Sequence, residues 1–318
     1  MLSRSQARWL DDALRRILMP LLYGLLALTT VDAIADSSDR GLASYYDRHM
    51  ALVQGVAHGW VGRGAPQRQR GGVVQVGVNR DSFLALLDDG TLVTWGDAPG
   101  AADQPTLLAH NGERFAAGQS GWFLIDRSGV LWHGADFSGA TPPRLVAQDV
   151  VAACTGDSAD YYITANGRLH VQGLAHRGQY GDGRLSSSPG FVATADEAVA
   201  VKAHTGHAIH LRRDGVVMGT GGNRFGPLSS HGLGDKAERW GRIFDGARAI
   251  ATGSRHSLAI RADGSLWAWG EGFAIEPRQV FEGVTAVAAG DTATIALTSS
   301  GELWQWDGGG APRRLVLR

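Results

Sequence analysis

Residues 254–272 read SRHSLAIRADGSLWAWGEG, and their pattern decides the fold. Large apolar residues alternate with small or polar ones on both sides of Asp263-Gly264, the dipeptide that most readily supplies the positive φ angles of a two-residue hairpin. One such copy is a hairpin. The arrangement recurs with turn glycines at Gly90, Gly129, Gly167, Gly215, Gly264 and Gly301, spaced by 39, 38, 48, 49 and 37 residues, a period that marks a repeat architecture.

The columns of this alignment are consistent. Six residues before the turn stand Leu84, Phe123, Tyr161, Ile209, Leu258 and Ile295, and two after it stand Leu92, Leu131, Leu169, Val217, Leu266 and Leu303. Period two holds on both strands, so each copy has a fixed inner face. Eleven residues before the turn lie Asn79, Gly118, Gly156, His204, Gly253 and Gly290, a column that reads as a strained, left-handed bend. Runs such as VVQV and VVAAC precede that bend, and proline-led segments such as TPPRLVAQ and EPRQVFEG follow the hairpin, proline suiting a first or edge strand residue. Each unit thus holds about four short strands in roughly 40 residues, the size of a propeller blade. The 45 Gly and 10 Trp among 318 residues suit such a chain of short strands and tight turns.

On GSRHSLAIRADGSLWAWG, AAGDTATIALTSSGELWQW and the loop GQYGDG, the chain resembles the regulator of chromosome condensation repeat family over residues 72–318. The resemblance implies a β-propeller used mainly to hold other macromolecules, in a few members a guanine-nucleotide exchange factor for a small GTPase. The compact unit is more similar to short-repeat bacterial members, among them an exported propeller that inhibits β-lactamases. The sequence departs from the pattern in places. Only the third unit keeps GQYGDG, and the second and third units have Gly134 and Gln172 where the pattern calls for a second Trp. The expectation is an all-β, six- or seven-bladed propeller of four-stranded blades. Residues 36–71 are about one blade long but lack an Asp-Gly turn, so they are either a degenerate blade or an added segment, and seven blades are preferred.

Residues 1–35 differ from all that follows. Arg4, Arg8, Arg15 and Arg16 precede the apolar stretch ILMPLLYGLLALTTV and Ala33-Ile34-Ala35, the three parts of a secretory signal with cleavage after Ala35. The alternative is a membrane anchor at residues 17–34, although the apolar stretch is shorter than the roughly 20 residues of a spanning helix. The expected location is periplasmic or secreted. That segment carries four of the 30 Lys and Arg and three of the 31 Asp and Glu, so the remainder is close to neutral. A nucleic-acid partner normally demands a basic excess. The single cysteine, Cys154, excludes intrachain disulfides and reads as a small buried hydrophobe.

A search for chemistry returns little. His204, His207 and His210 are spaced so that the last two point to opposite faces of a strand, which does not converge on a metal. Asp89, Asp214 and Asp263 read as turn residues, and Gly156 to Asp160 as a bend and strand entrance rather than a nucleophile elbow. Neither catalytic residues nor cofactors are expected. What the repeat does not demand is concentrated in two neighbouring loops, GLAHRGQYGDGRLSSS and GGNRFGPLSSHGLGDKAERWGRIF, which stretch the spacing to 48 and 49. They carry Arg177, Tyr180, Arg184, Asn223, Arg224, Phe225, His231 and Trp240, the types that dominate interface energies, and are the expected partner-binding residues. The leading expectation is a monomeric, exported, non-catalytic module for a protein partner. The alternatives are an enzyme built in the propeller channel, which titratable groups from several blades at one channel end would favour, or an exchange factor.

Overall fold

The computed structural model describes residues 40–96, 100–119, 121–229 and 234–317. The expected signal or anchor segment lies outside them. Among the described residues, 28 strands form seven four-stranded antiparallel sheets, each built from four strands consecutive in the chain. The blades span residues 42–71, 73–109, 112–147, 150–195, 198–244, 247–281 and 284–315, here blades 1 to 7. Residues 42–71 therefore form a full blade, blade 1, and bring the count to seven, with a Gln54-Gly55 turn (φ 51° and 74°) joining Val53 directly to Val56. Its hairpin is shorter than those of the six clear units, which is why the sequence overlay needs a gap.

The ring closes without a strand shared between the chain ends. The first strand of blade 1 packs against the first two strands of blade 7. Trp60 Nε1 donates to Gln305 Oε1 (3.1 Å), Gln305 Nε2 donates to the Gly62 carbonyl (3.0 Å), and Arg63 pairs with Asp307 across the same seam. Between blades the small and apolar residues of facing sheets interlock, with Trp122, Tyr161 and Trp269 fully buried. Blade 3 shows how a departure from the repeat is compensated. Gly134 stands opposite Trp122, and a Cβ there would collide with the indole, so the ring supplied by the second strand fills the space of the missing third-strand Trp.

Two local expectations are corrected. The Asp-Gly turns are three-residue connections: Gly264 N–H bonds to Arg261 O and Arg261 N–H to Ser265 O, each 3.0 Å, with only Gly264 at positive φ (82°). That is a type I turn followed by a left-handed bulge residue. Asp263 Oδ1 accepts from the Ser265 backbone N–H (2.9 Å) and hydroxyl (2.6 Å), which accounts for the Asp. Asn79, Gly118, Gly156, His204, Gly253 and Gly290 are not left-handed at all. The bend glycines answer to crowding: a Cβ on Gly253 would lie 2.5 Å from Gly290 O, and one on Gly290 would strike Tyr46 O, because successive bends pack against one another round the channel. The left-handed column lies at Gly72, Asn111, Asp149, Glu197, Gly246 and Gly283, at the entrance of the inner strand in blades 2 to 7 (φ 57° to 73°).

Candidate functional site

Strand direction decides which loops share a face. In every blade the first and third strands run parallel to each other, so the bend after the first and the loop after the third emerge on one side, and the Asp-Gly hairpins on the other. Hydrogen bonds tie the two: Leu174 N–H to Ser158 O (2.7 Å), Gly222 N–H to Gly206 O (2.8 Å) and Glu271 N–H to Arg255 O (3.0 Å). Both long loops therefore border the same mouth of the central channel.

Much of each long loop is a latch onto the next blade. In blade 4, Gly183 N–H bonds to Glu238 O (2.8 Å) and accepts no space for a side chain, while Gly181 O takes the Trp240 N–H (2.9 Å). In blade 5, Pro227 O accepts from Trp269 Nε1 (2.7 Å) of blade 6, and Ser229 Oγ donates to Glu276 (3.0 Å). This places several expected contact residues inside. Tyr180 is fully buried, its Oη donating to Gly173 O (2.9 Å) and accepting from Ser188 N–H (2.8 Å). Asn223 is buried and holds its own loop through Ser229 O, Gly234 O and Leu228 N–H. Trp240 is half-buried beneath the blade 4 latch, its ring 4.5 Å from that of His210. Tyr180 and Asn223 are corrected to packing residues, since a side chain buried within its own loop offers no area to a partner, whereas Trp240 is only partly covered. His231 lies outside the described residues.

Arg177, Arg184, Arg224 and Phe225 are exposed. Arg255 stacks over the Phe225 ring at 4.4 Å while pairing with Glu271 (2.9 Å), and Arg224 lies 5.8 Å from the same ring. Leu174, Leu185 and Ile275 add exposed apolar area on this face, Ile275 being 57% exposed and packed beside Gly226. The result is a rim of cations and apolar side chains.

Inside the rim sits a polar cluster that the sequence reading passed over. The residue after each bend is polar in six blades: Arg80, Gln119, Asp157, Thr205, Ser254 and Asp291. Blade 1 contributes Tyr45 and Tyr46. Tyr45 Oη donates to Asp157 across the channel, Tyr46 Oη lies 3.5 Å from its other oxygen, and Thr205 donates to it at 3.1 Å. His204 stacks on Tyr45 with centroids 5.0 Å apart. Its Nδ1 meets the Thr205 and Ser254 hydroxyls (3.0 and 3.3 Å), while Nε2 is buried with no partner. Burial lowers the His204 pKa, opposed by Asp157 and Asp291. Burial likewise raises the Tyr45 phenol, with the Asp157 hydrogen bond adding to it. A neutral imidazole and neutral phenols against one carboxylate make a clasp at this end of the channel that ties blade 1 to blades 4 and 5.

The three histidines of the HxxHxxH run have separate surroundings: His207 Nε2 faces Ser257 Oγ (3.3 Å) and His210 faces Trp240. Among the described residues, no three His, Cys, Asp or Glu side chains converge as metal ligands. Cys154 is buried, its Sγ accepting from Ala203 N–H (3.2 Å).

With fold and site in view, the chain can be set beside known proteins. Residues 247–273, the first three strands of blade 6, match the Regulator of chromosome condensation (RCC1) repeat. Protein pim1 of Schizosaccharomyces pombe is 24% identical over 62% of this chain and 37% of its own length. The human X-linked retinitis pigmentosa GTPase regulator is 31% identical over 52% of this chain and 16% of its own. The chain thus spans well under half of these curated relatives. The crystal structure of Prp20p from Saccharomyces cerevisiae, described with its binding to Gsp1p and histones, superposes with a TM-score of 0.63 at 17% identity, covering 78% of this chain and 80% of that one. The protein is a β-propeller of RCC1-type repeats.

Proposed function

We propose that this chain is an exported, non-catalytic propeller that holds a protein partner on the face bearing its long loops. The observation that carries the reading is the exposed rim on that face, where Arg177, Arg184, Arg224 and Phe225 stand beside Leu174 and Ile275 on a rigid, latched base. Forked cations and aromatics on a pre-ordered surface bury area with little loss of side-chain freedom. Propeller relatives that hold proteins support the same reading: one solved structure has Kap60 bound to yeast RCC1 (Prp20).

The channel-mouth cluster is the observation that favours an enzyme as second reading. Its reactive groups are consumed by one another, however: Asp157 is held by three hydroxyls and the Tyr45 and His204 rings are buried. A clasp accounts for them without a substrate.

The test is capture of partners from the native host by the wild-type chain and by the triple substitution Arg184→Ala, Arg224→Ala, Phe225→Ala. Capture should fall by about tenfold or more, as loss of central contacts does, with the melting temperature almost unchanged. Undiminished capture by the triple variant would move the binding face elsewhere. The chain recovered in the same experiment should begin after Ala35, whereas Met1 intact in the membrane fraction would replace export by anchoring.

A further inference from the structure

The long-loop face carries three local ion pairs, Arg184 with Asp182 (2.7 Å), Lys236 with Glu238 (2.7 Å) and Arg255 with Glu271 (2.9 Å). Among the described residues no carboxylate pairs with Arg177 or Arg224, although both are exposed on the same loops. Asp235 lies at the base of the blade 5 loop, its carbonyl accepting from Asn223 N–H (2.7 Å), and its carboxylate pairs with neither arginine.

Arg177 is placed by its neighbours rather than by a counter-charge. Its backbone N–H donates to Oε1 of the buried Gln179 (2.8 Å), and its side chain crosses from the blade 4 loop onto blade 5. There a Cβ on Gly206 would stand 2.9 Å from Arg177 Nη1, and one on Gly222 would stand 3.7 Å from its Cδ. The second residue after the bend is Asp81, Ser120, Ser158, Arg255 and Thr292 in the other five clear units. In blade 5 it is Gly206, and the Arg177 side chain lies where the missing one would stand. Arg224 follows Gly222 by two residues and lies 5.8 Å from the Phe225 ring, which also carries Arg255 at 4.4 Å. A Cβ on Gly226 would be 3.4 Å from Ile275 of blade 6. Arg177, Arg224, Phe225 and Ile275 thus form one exposed arc across the loops of blades 4, 5 and 6.

A partner seated on Phe225 and Ile275 also takes the two arginines out of water. An exposed ion pair contributes little, whereas a charge covered without a counter-charge is strongly destabilising. The partner must therefore bring the missing charge, and a carboxylate matches the planar fork of arginine with two parallel hydrogen bonds. We infer that the partner is a protein presenting Asp or Glu beside an apolar side chain, the carboxylates meeting Arg177 and Arg224 and the apolar group resting against Phe225 and Ile275. The inference rests on the rim being the partner face. A phosphate backbone is disfavoured, since it would meet Asp182, Glu238 and Glu271 on the same loops and the near-neutral chain gives it no wider attraction.

Selection of random linear peptides displayed on phage, with the intact chain as target, tests this. Enriched peptides should carry Asp or Glu next to an apolar residue. A synthetic copy of the leading peptide should lose about tenfold in affinity with Arg177→Gln or Arg224→Gln, the worth of one charged hydrogen bond, and its salt dependence should flatten. Phe225→Ala should weaken the same peptide and leave its salt dependence as it was. Should an arginine variant fold poorly, the unsubstituted chain decides, because peptide binding indifferent to salt overturns the charge pairing. Enriched peptides that need Phe225 but lack acidic residues would overturn the acidic class and leave the rim as the partner face. No enrichment, or peptides indifferent to all three substitutions, would overturn both. A single-stranded oligonucleotide bound more tightly than the peptide, and weakened by both arginine variants, would replace the protein partner by nucleic acid.

Discussion

Gly253 and Gly301 both stand in glycine columns of the repeat, but a side chain at each meets a different obstacle. At Gly301 the backbone is left-handed (φ 80°) and the space beyond it is empty, so the cost is conformational only. Asn tolerates that region, and Gly301→Asn should cost less than about 1 kcal/mol. At Gly253 the backbone is ordinary, yet a Cβ would be 2.5 Å from the Gly290 carbonyl, part of a neighbouring bend that cannot retreat because its own neighbours are packed against it. Gly253→Ala should therefore lower stability by about 2 kcal/mol through overpacking. Urea midpoints of the two variants decide the matter; a Gly253→Ala protein as stable as wild type would mean that the bends can spread.

The element that most repays inspection is the latch. Each long loop crosses to the neighbouring blade, that of blade 4 onto the outer strand Lys236–Phe244 and that of blade 5 onto Trp269 and Glu276, which explains why residues that look like interface anchors by type are found inside. Tyr180 is the clearest case. Its hydroxyl bridges Gly173 O and Ser188 N–H, joining the two ends of the blade 4 loop while the ring fills the blade core. Tyr180→Phe removes the bridge and takes a partner from two part-buried backbone groups, so stability should drop by about 1 kcal/mol. Partner capture per folded molecule should be unchanged. Thermal melts and capture measured side by side separate the outcomes, and lost capture at full stability would return Tyr180 to the contact surface.

At the scale of the whole molecule, seven sheets that bury histidine at their seams make an acid-labile ring. Desolvation by burial lowers the pKa of His49, His210 and His256 to about 4 and of His207 to about 3. Each is neutral when folded and protonated when unfolded from about pH 6.5 downward, so stability present above that pH is lost as pH falls. Asp160 works in the opposite sense: burial raises it to about 6, and its folded form keeps a proton that the unfolded chain releases. Four imidazoles against one carboxyl leave a net uptake of about three protons on unfolding near pH 5. The melting temperature should therefore fall steeply from pH 7 to pH 5. A flat profile over that range would show that these rings titrate in the folded state.

Blade type, strand pairing and the positions of the Asp-Gly turns were legible in the chain, though not the turns' three-residue form, because a two-residue period and a recurring turn are local properties that the backbone must express wherever the strand lies. Seven blades were legible only as a preference, since Gln54-Gly55 is a turn that no longer resembles its siblings. The bend glycines were visible as a column but misread, because a local rule reports φ and their constraint is the backbone of the next blade. The polar residues from Arg80 to Asp291 also form a column, one place beyond the bends, yet nothing local says that a ring brings them to one mouth, where Tyr45 of blade 1 can meet Asp157 of blade 4. Exposure was the least legible property. Tyr180 and Phe225 are both aromatic loop residues, and only the path of the loop across its neighbour buries the first and leaves the second in water. Residue type sets what a side chain could contribute; closure of the ring, which brings distant segments into contact, decides which of them are left free to do so.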